Sequence, residues 1–158
     1  MKIKARKGVK SVKMLDGISG EVLREQLSSY DTMGEIGNTE NRKPRYDLDE
    51  RTLTFAKDVA LFCKKLPRSV TNGEYVKQIV RSSGSIGANY IEANEAISKK
   101  DLILRLKISR KEIKETIYWL RLIDSTNADV LHADVRILLN EAQQLIRIFA
   151  TIISKVST

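Results

Sequence analysis

The stretch "LHADVRILLNEAQQLIRIFATIISKV", residues 131–156, decides the fold. Leu131, Val135, Leu138, Ala142, Leu145, Phe149, Ile152 and Val156 follow one another at 4-3-4-3-4-3-4 spacing. Alternating steps of four and three keep side chains on one side of an α-helix, and sustained over several heptads they make a packing seam. Ile146, Ile148 and Ile153 widen the seam. A face this broad packs on two sides, which predicts a bundle rather than one helix pair.

Three more helical patterns precede this one. Helix three opens at "SKKD", where Ser98 and Asp101 form a capping-box pair, and runs to about Ile123, before "DSTNAD" breaks the chain. Helix two runs from about Thr71 to Ile97. Helix one opens at "DLDE", with Asp47 and Glu50 as a second capping box, and Pro67 stops it. Leu53, Ala56, Ala60 and Cys63, with Phe55, Val59 and Phe62, give it a broad apolar side. The breaks are a few residues each, and short connections force antiparallel neighbours. The expected fold is therefore all-α: an antiparallel up-down-up-down four-helix bundle over residues 46–158. Residues 1–45 hold five of the eight glycines and read as an N-terminal extension and linker. Within them, Ser19 caps a short predicted helix with Val22, Leu23 and Leu27 on one side.

Composition narrows the function. The net charge is +8, and the first thirteen residues carry six basic side chains and no acid. Such an arm suits a phosphate-bearing partner or a solvated tail. A single cysteine, Cys63, rules out an internal disulfide and a cysteine-based metal cluster, and fits a reducing cytoplasm. No window reaches the length of apolar residues that a membrane helix needs. Catalytic signatures are missing too. His132 is the only histidine, so the paired Glu-x-x-His motifs of a di-iron bundle are not there, and it reads as a surface or cap residue. "GSIG" inside a helix is not a phosphate loop. Cys63 on an apolar helix reads as core filler. The chain reads as non-catalytic, with no cofactor or metal expected.

One segment of helix two resists its own conformation. "RSSGSIGANYIEANEA", residues 81–96, crowds glycine, serine and asparagine into a helix interior, where each costs roughly 0.5–1 kcal/mol against alanine. The 4-3 spacing there selects Tyr75, Ile79, Ser82, Ile86, Asn89 and Ala93, a seam with two polar members. A neighbouring line, Gln78, Ser82, Ser85, Asn89 and Glu92, is almost wholly polar. Either these residues bond across to helix three, with Glu115 as a partner, and fix register, or they line a groove or subunit contact. Glu92 and Glu115 could also pair as acid and base, although structural hydrogen bonding suits them better.

Helix three is the cationic element. Lys99, Lys100, Arg105, Lys107, Arg110, Lys111 and Lys114 fall within sixteen residues, against Asp101 and Glu112. Arg110, Lys114 and Arg121 share one side, and Lys100, Lys107, Lys111 and Lys114 an adjoining one. A stripe of this kind tracks phosphates by sequence-independent Coulombic contact, or is a solvated face with pairs such as Lys111–Glu115. Tyr118 and Trp119 close it. One belongs in the core, and the other is left to stack on a base or between subunits.

These segments resemble a known family. "YDLDERTLTFAKDVALFCKKLP", "YVKQIVRSSGSIGANYIEA" and "LRLKISRKEIKETIYWLRLI" are similar to the small bundle proteins encoded within intervening sequences of bacterial 23S rRNA genes, the S23 family. The fold is also that of the accessory variability protein of diversity-generating retroelements. The residues that carry the likeness are Gln78, Arg81, Ser82, Ser85, Ile86, Asn89 and Glu92, with the Leu66-Pro67 stop, Glu115 and Trp119-Leu120. The usual glycine after the helix-two glutamate is Ala93 here. The resemblance implies a non-catalytic, basic, cytoplasmic bundle that assembles into a homopentameric barrel. RNA or DNA is its implied partner, or else a protein such as a reverse transcriptase or a ribosome-associated factor.

Overall fold

The computed structural model describes residues 48–127 and 131–158, and both expected capping by Asp47 and the basic arm of residues 1–45 lie outside them. Four helices follow in order: α1 (Leu48–Cys63), α2 (Val70–Asn94), α3 (Lys99–Thr126) and α4 (His132–Ser157). There is no strand among the described residues. Every residue of the seam that begins at Leu131 is buried, and Val135, Ala142, Leu145, Phe149 and Ile152 lose all their solvent contact. Each fully buried aliphatic or phenyl side chain contributes about 1.5–3 kcal/mol. The ring of Phe149 meets Tyr90 of α2 edge-on, with centroids 5.7 Å apart, so α4 reaches across the core.

Polar contacts fix the antiparallel order. Asn94 near the end of α2 reaches Asp49 at the start of α1. Down the α2–α3 pair, Asn72 bonds Asn127, Ser82 bonds Thr116, and Ser109 donates to the Ile86 carbonyl. His132 and Asp124 join α4 to α3 at 2.5 Å. Arg51–Glu141 and Lys65–Asp134, at 2.6 and 2.8 Å, close the ring between α1 and α4. Of the four neighbouring pairs around the bundle, α2–α3 packs most extensively and α1–α4 least.

The helix ends depart in detail from the sequence reading. Ser69 caps α2 by accepting from the Asn72 amide, so the helix begins at Val70, one residue before the expected start. The helix stops at Asn94, leaving Ile97 outside it and 79% exposed. Ser98 does accept from the Asp101 amide, as expected. α3 continues past Ile123 to Thr126, where the Ser125 and Thr126 hydroxyls donate back to the Leu122 carbonyl. Leu53, expected on the apolar side of α1, is 47% exposed. The reason is that Leu48, Thr52, Phe55, Val59 and Phe62 take the core stripe, which leaves Leu53 on the flank.

Candidate nucleic-acid interface

The α2–α3 seam is where polar residues enter the core. On α3, the buried line Leu102, Leu106, Ser109, Ile113, Thr116 and Leu120 runs at heptad spacing and includes two hydroxyls. Ser82 of α2 lies 2.9 Å from Thr116, and both hydroxyls also bond carbonyls of their own helices. Hence Ser82 does bond across, but to Thr116 and not to Glu115. Asn89 does not bond across by this route: its amide donates to Ser85 O, one turn back at 2.8 Å. Glu115 belongs to Lys111, at 3.9 Å. Ser109 and Thr116 escaped the sequence reading, although their seven-residue separation on an apolar line was the signal. Glycine has its own place here. A Cβ on Gly87 would come 3.0 Å from Thr52 Oγ1 of α1, whereas one on Gly84 would meet nothing.

Glu92 and Glu115 have different partners. Glu92 forms an ion pair with Arg105, near the start of α3, while Glu115 sits two to three turns further along beside Lys111. Gln78 and Ser85 are half-buried and Arg81 is exposed along the same flank. Trp119 is half-buried, packs on the core, and stands between Tyr75 at 5.9 Å and Tyr118 at 5.1 Å. Its indole nitrogen is buried with no hydrogen-bond partner among the described residues. Tyr118 is the exposed member of the pair. Cys63 is half-buried, and burial pushes its thiol up to about 11, as suits a packing residue.

The cations of α3 divide into two groups. Arg105 is engaged by Glu92 of α2 and by Asp101 at 3.6 Å. It ties α2 to α3. Lys111 is exposed but neutralises the buried carboxylate of Glu112 at 2.8 Å, which holds its ammonium above the ordinary lysine range. Lys100, Lys107, Lys114 and Arg121 are exposed and Lys99 and Arg110 half-exposed, and none of them makes an ion pair among the described residues. Flexible, hydrated cations of this sort are free to contact phosphate. From Lys99 to Arg121 the row extends about 33 Å along the helix.

These features define a class: a basic antiparallel four-helix bundle with a polar seam between its two longest-packed helices. No helix among the described residues is long and apolar enough to cross a membrane. The chain belongs to the family described as 23S rRNA-intervening sequence protein, which matches residues 46–151. Among solved structures it is similar to a protein of unknown function from the S23 ribosomal protein family of Bacteroides thetaiotaomicron. The two share 31% identity with a TM-score of 0.59, over 67% of this chain and 97% of that one. No curated protein matches the chain.

Proposed function

We propose that this chain is a non-catalytic, cytoplasmic accessory protein that assembles with copies of itself and binds the sugar-phosphate backbone of RNA or DNA through α3. The observation that carries the reading is the row of uncompensated cations on the outer side of α3: Lys107, Lys114 and Arg121 are exposed and unpaired among the described residues, while Arg105 and Lys111 take up neighbouring acids. Binding of this kind is weakly sequence-dependent and steeply salt-dependent.

The test is a titration of RNA and DNA at two salt concentrations. The variant Lys107→Glu/Arg110→Glu/Lys114→Glu leaves Lys111 in place because Glu112 depends on it. Its affinity falls, and its salt slope flattens by about two to three if each cation neutralises one phosphate. A folded variant that binds like the wild type would remove α3 from the reading.

Assembly has separate support. Val80, Gly84, Gly87 and Ile91 repeat at 4-3-4 spacing on a flank of α2 beside its core seam, where Gly87 meets α1 and the other three are exposed. Val80 is 42% and Ile91 57% exposed. A second apolar line of this kind suits another protein surface. A homopentameric barrel is the assembly we favour. The same line also supports the second reading, a scaffold whose partner is a protein such as a reverse transcriptase or a ribosome-associated factor.

A further inference from the structure

Charge is segregated across the bundle, and the segregation extends the cationic row of α3 onto α4. One contact fixes which sides face each other. The His132–Asp124 pair marks the sides of α4 and α3 that meet. Counting back from Asp124 in helical steps of three and four gives Arg121, Ile117, Lys114, Arg110 and Lys107. Counting forward from His132 in steps of four, seven and four gives Arg136, Gln143 and Arg147. Because the helices are antiparallel, Arg136 comes level with Arg121 and Arg147 with Arg110. Both α4 arginines are exposed, and neither makes an ion pair among the described residues.

The acids of both helices lie elsewhere. On α4, Asp134 and Glu141 are turned to α1, where Lys65 and Arg51 engage them at 2.8 and 2.6 Å. On α3, Asp101, Glu112 and Glu115 lie with Arg105 and Lys111 towards α2. Asp124 is the one acid of the α3–α4 face among the described residues, and His132 holds it. Two adjacent helices thus present cations along a shared face while their carboxylates are paired on the two outer flanks.

Among the described residues the face has no stacking platform. Tyr118 leans on Trp119, which stacks with Tyr75 of α2, so the exposed ring belongs to the other flank. Single-strand binders combine cations with rings for unstacked bases. Here there are cations alone, in two rows set apart by the spacing of packed helices, about 8–10 Å. That spacing falls between the widths of the two B-form grooves, about 6 and 12 Å, so each row can follow one of the paired backbones that line a groove of a duplex. From Lys107 to Arg121 the α3 row is about 21 Å long, more than half a duplex turn.

Resting on the nucleic-acid reading above, we infer that the α3–α4 face is a docking surface for double-stranded nucleic acid, with Arg136 and Arg147 as phosphate contacts alongside Lys107, Arg110, Lys114 and Arg121. The partner chemistry is the doubled phosphodiester backbone, common to duplex RNA and duplex DNA.

The experiment uses the full chain, blunt duplex RNA and duplex DNA of about 20 base pairs, and a uridine single strand of matched length, at about 50 and 200 mM salt. The variant is Arg136→Glu/Arg147→Glu, with its fold checked by circular dichroism and melting. Wild-type protein is expected to bind at least one duplex more tightly than the single strand. The α4 variant is expected to lose duplex affinity, by about tenfold or more at the lower salt, and to show a shallower salt slope by about two. Preference between the two duplexes identifies which one the face takes. If the α4 variant binds duplex like the wild type while the α3 variant is weakened, the α4 contribution is wrong and the α3 reading stands. If both variants bind like the wild type, the nucleic-acid reading itself falls. Tighter binding to the single strand than to either duplex would overturn the assignment to duplex.

Discussion

Two glycines in the same helix answer to different forces. Gly84 has open space where a Cβ would be, so nothing among the described residues requires it. Gly87 faces Thr52, whose hydroxyl is itself fixed by the Leu48 and Asp49 carbonyls at 2.9 and 3.0 Å and cannot easily move aside. Replacing glycine by alanine within a helix gains about 0.5–1 kcal/mol when the new methyl fits. Gly84→Ala is therefore expected to raise stability by that amount, and Gly87→Ala to show little gain or a loss. Urea unfolding of both variants checks it, and equal gains at the two sites would show that α1 does not press on Gly87. The sequence marked both glycines as costly. It did not separate them, because the difference lies in which residue of α1 comes opposite.

At the scale of the elements, polar seams in α2 and α3 meet each other. Ser82 and Thr116 are buried, and each is otherwise bonded within its own helix. Removing one hydroxyl leaves the other in an apolar layer, at a cost of about 1 kcal/mol. Thr116→Val is expected to lose about that much. The double variant Ser82→Ala/Thr116→Val is expected to lose less than the two single losses together, because the two hydroxyls share one hydrogen bond, which can be lost only once. Strict additivity in denaturant unfolding would separate the two residues energetically. This accounts for the polar residues that made α2 look unfavourable alone. Ser82 finds a partner on α3 and Asn94 on α1, while Ser83 and Asn89 bond carbonyls of α2 itself, and intrinsic helix propensity is small enough for tertiary contacts to override.

For the whole molecule, the distribution of charge and of exposed apolar residues points to two separate surfaces. The cations gather on the α3–α4 side, and Val80 and Ile91 are exposed on α2. If copies assemble through the second surface, Val80→Lys/Ile91→Lys should reduce the mass measured by light scattering from that of an oligomer, about five chains, to that of one chain. The folded single chain should keep its helical content. An unchanged mass would move the subunit contact away from this line. Because the two surfaces lie on different helices, nucleic-acid affinity per chain and assembly are expected to respond to different variants.

The four helices, their order and most of their buried residues were legible in the sequence, since burial repeats with the period of the helix and the heptad line of α4 was unbroken. The stops were legible as well: Pro67 cannot continue a helix, and Ser98 offers a cap. The cations of α3 could be named one by one. What they do could not, because an ion pair depends on the neighbouring helix as well as on spacing within one. Arg105 proved to be tied to Glu92, Ser82 chose Thr116 over Glu115, and Arg136 and Arg147 gained their place beside α3. Sequence periodicity determines which side of a helix is apolar. Only the tertiary structure decides rotation and register between helices, and therefore which polar and charged groups are satisfied and which remain free to meet a partner.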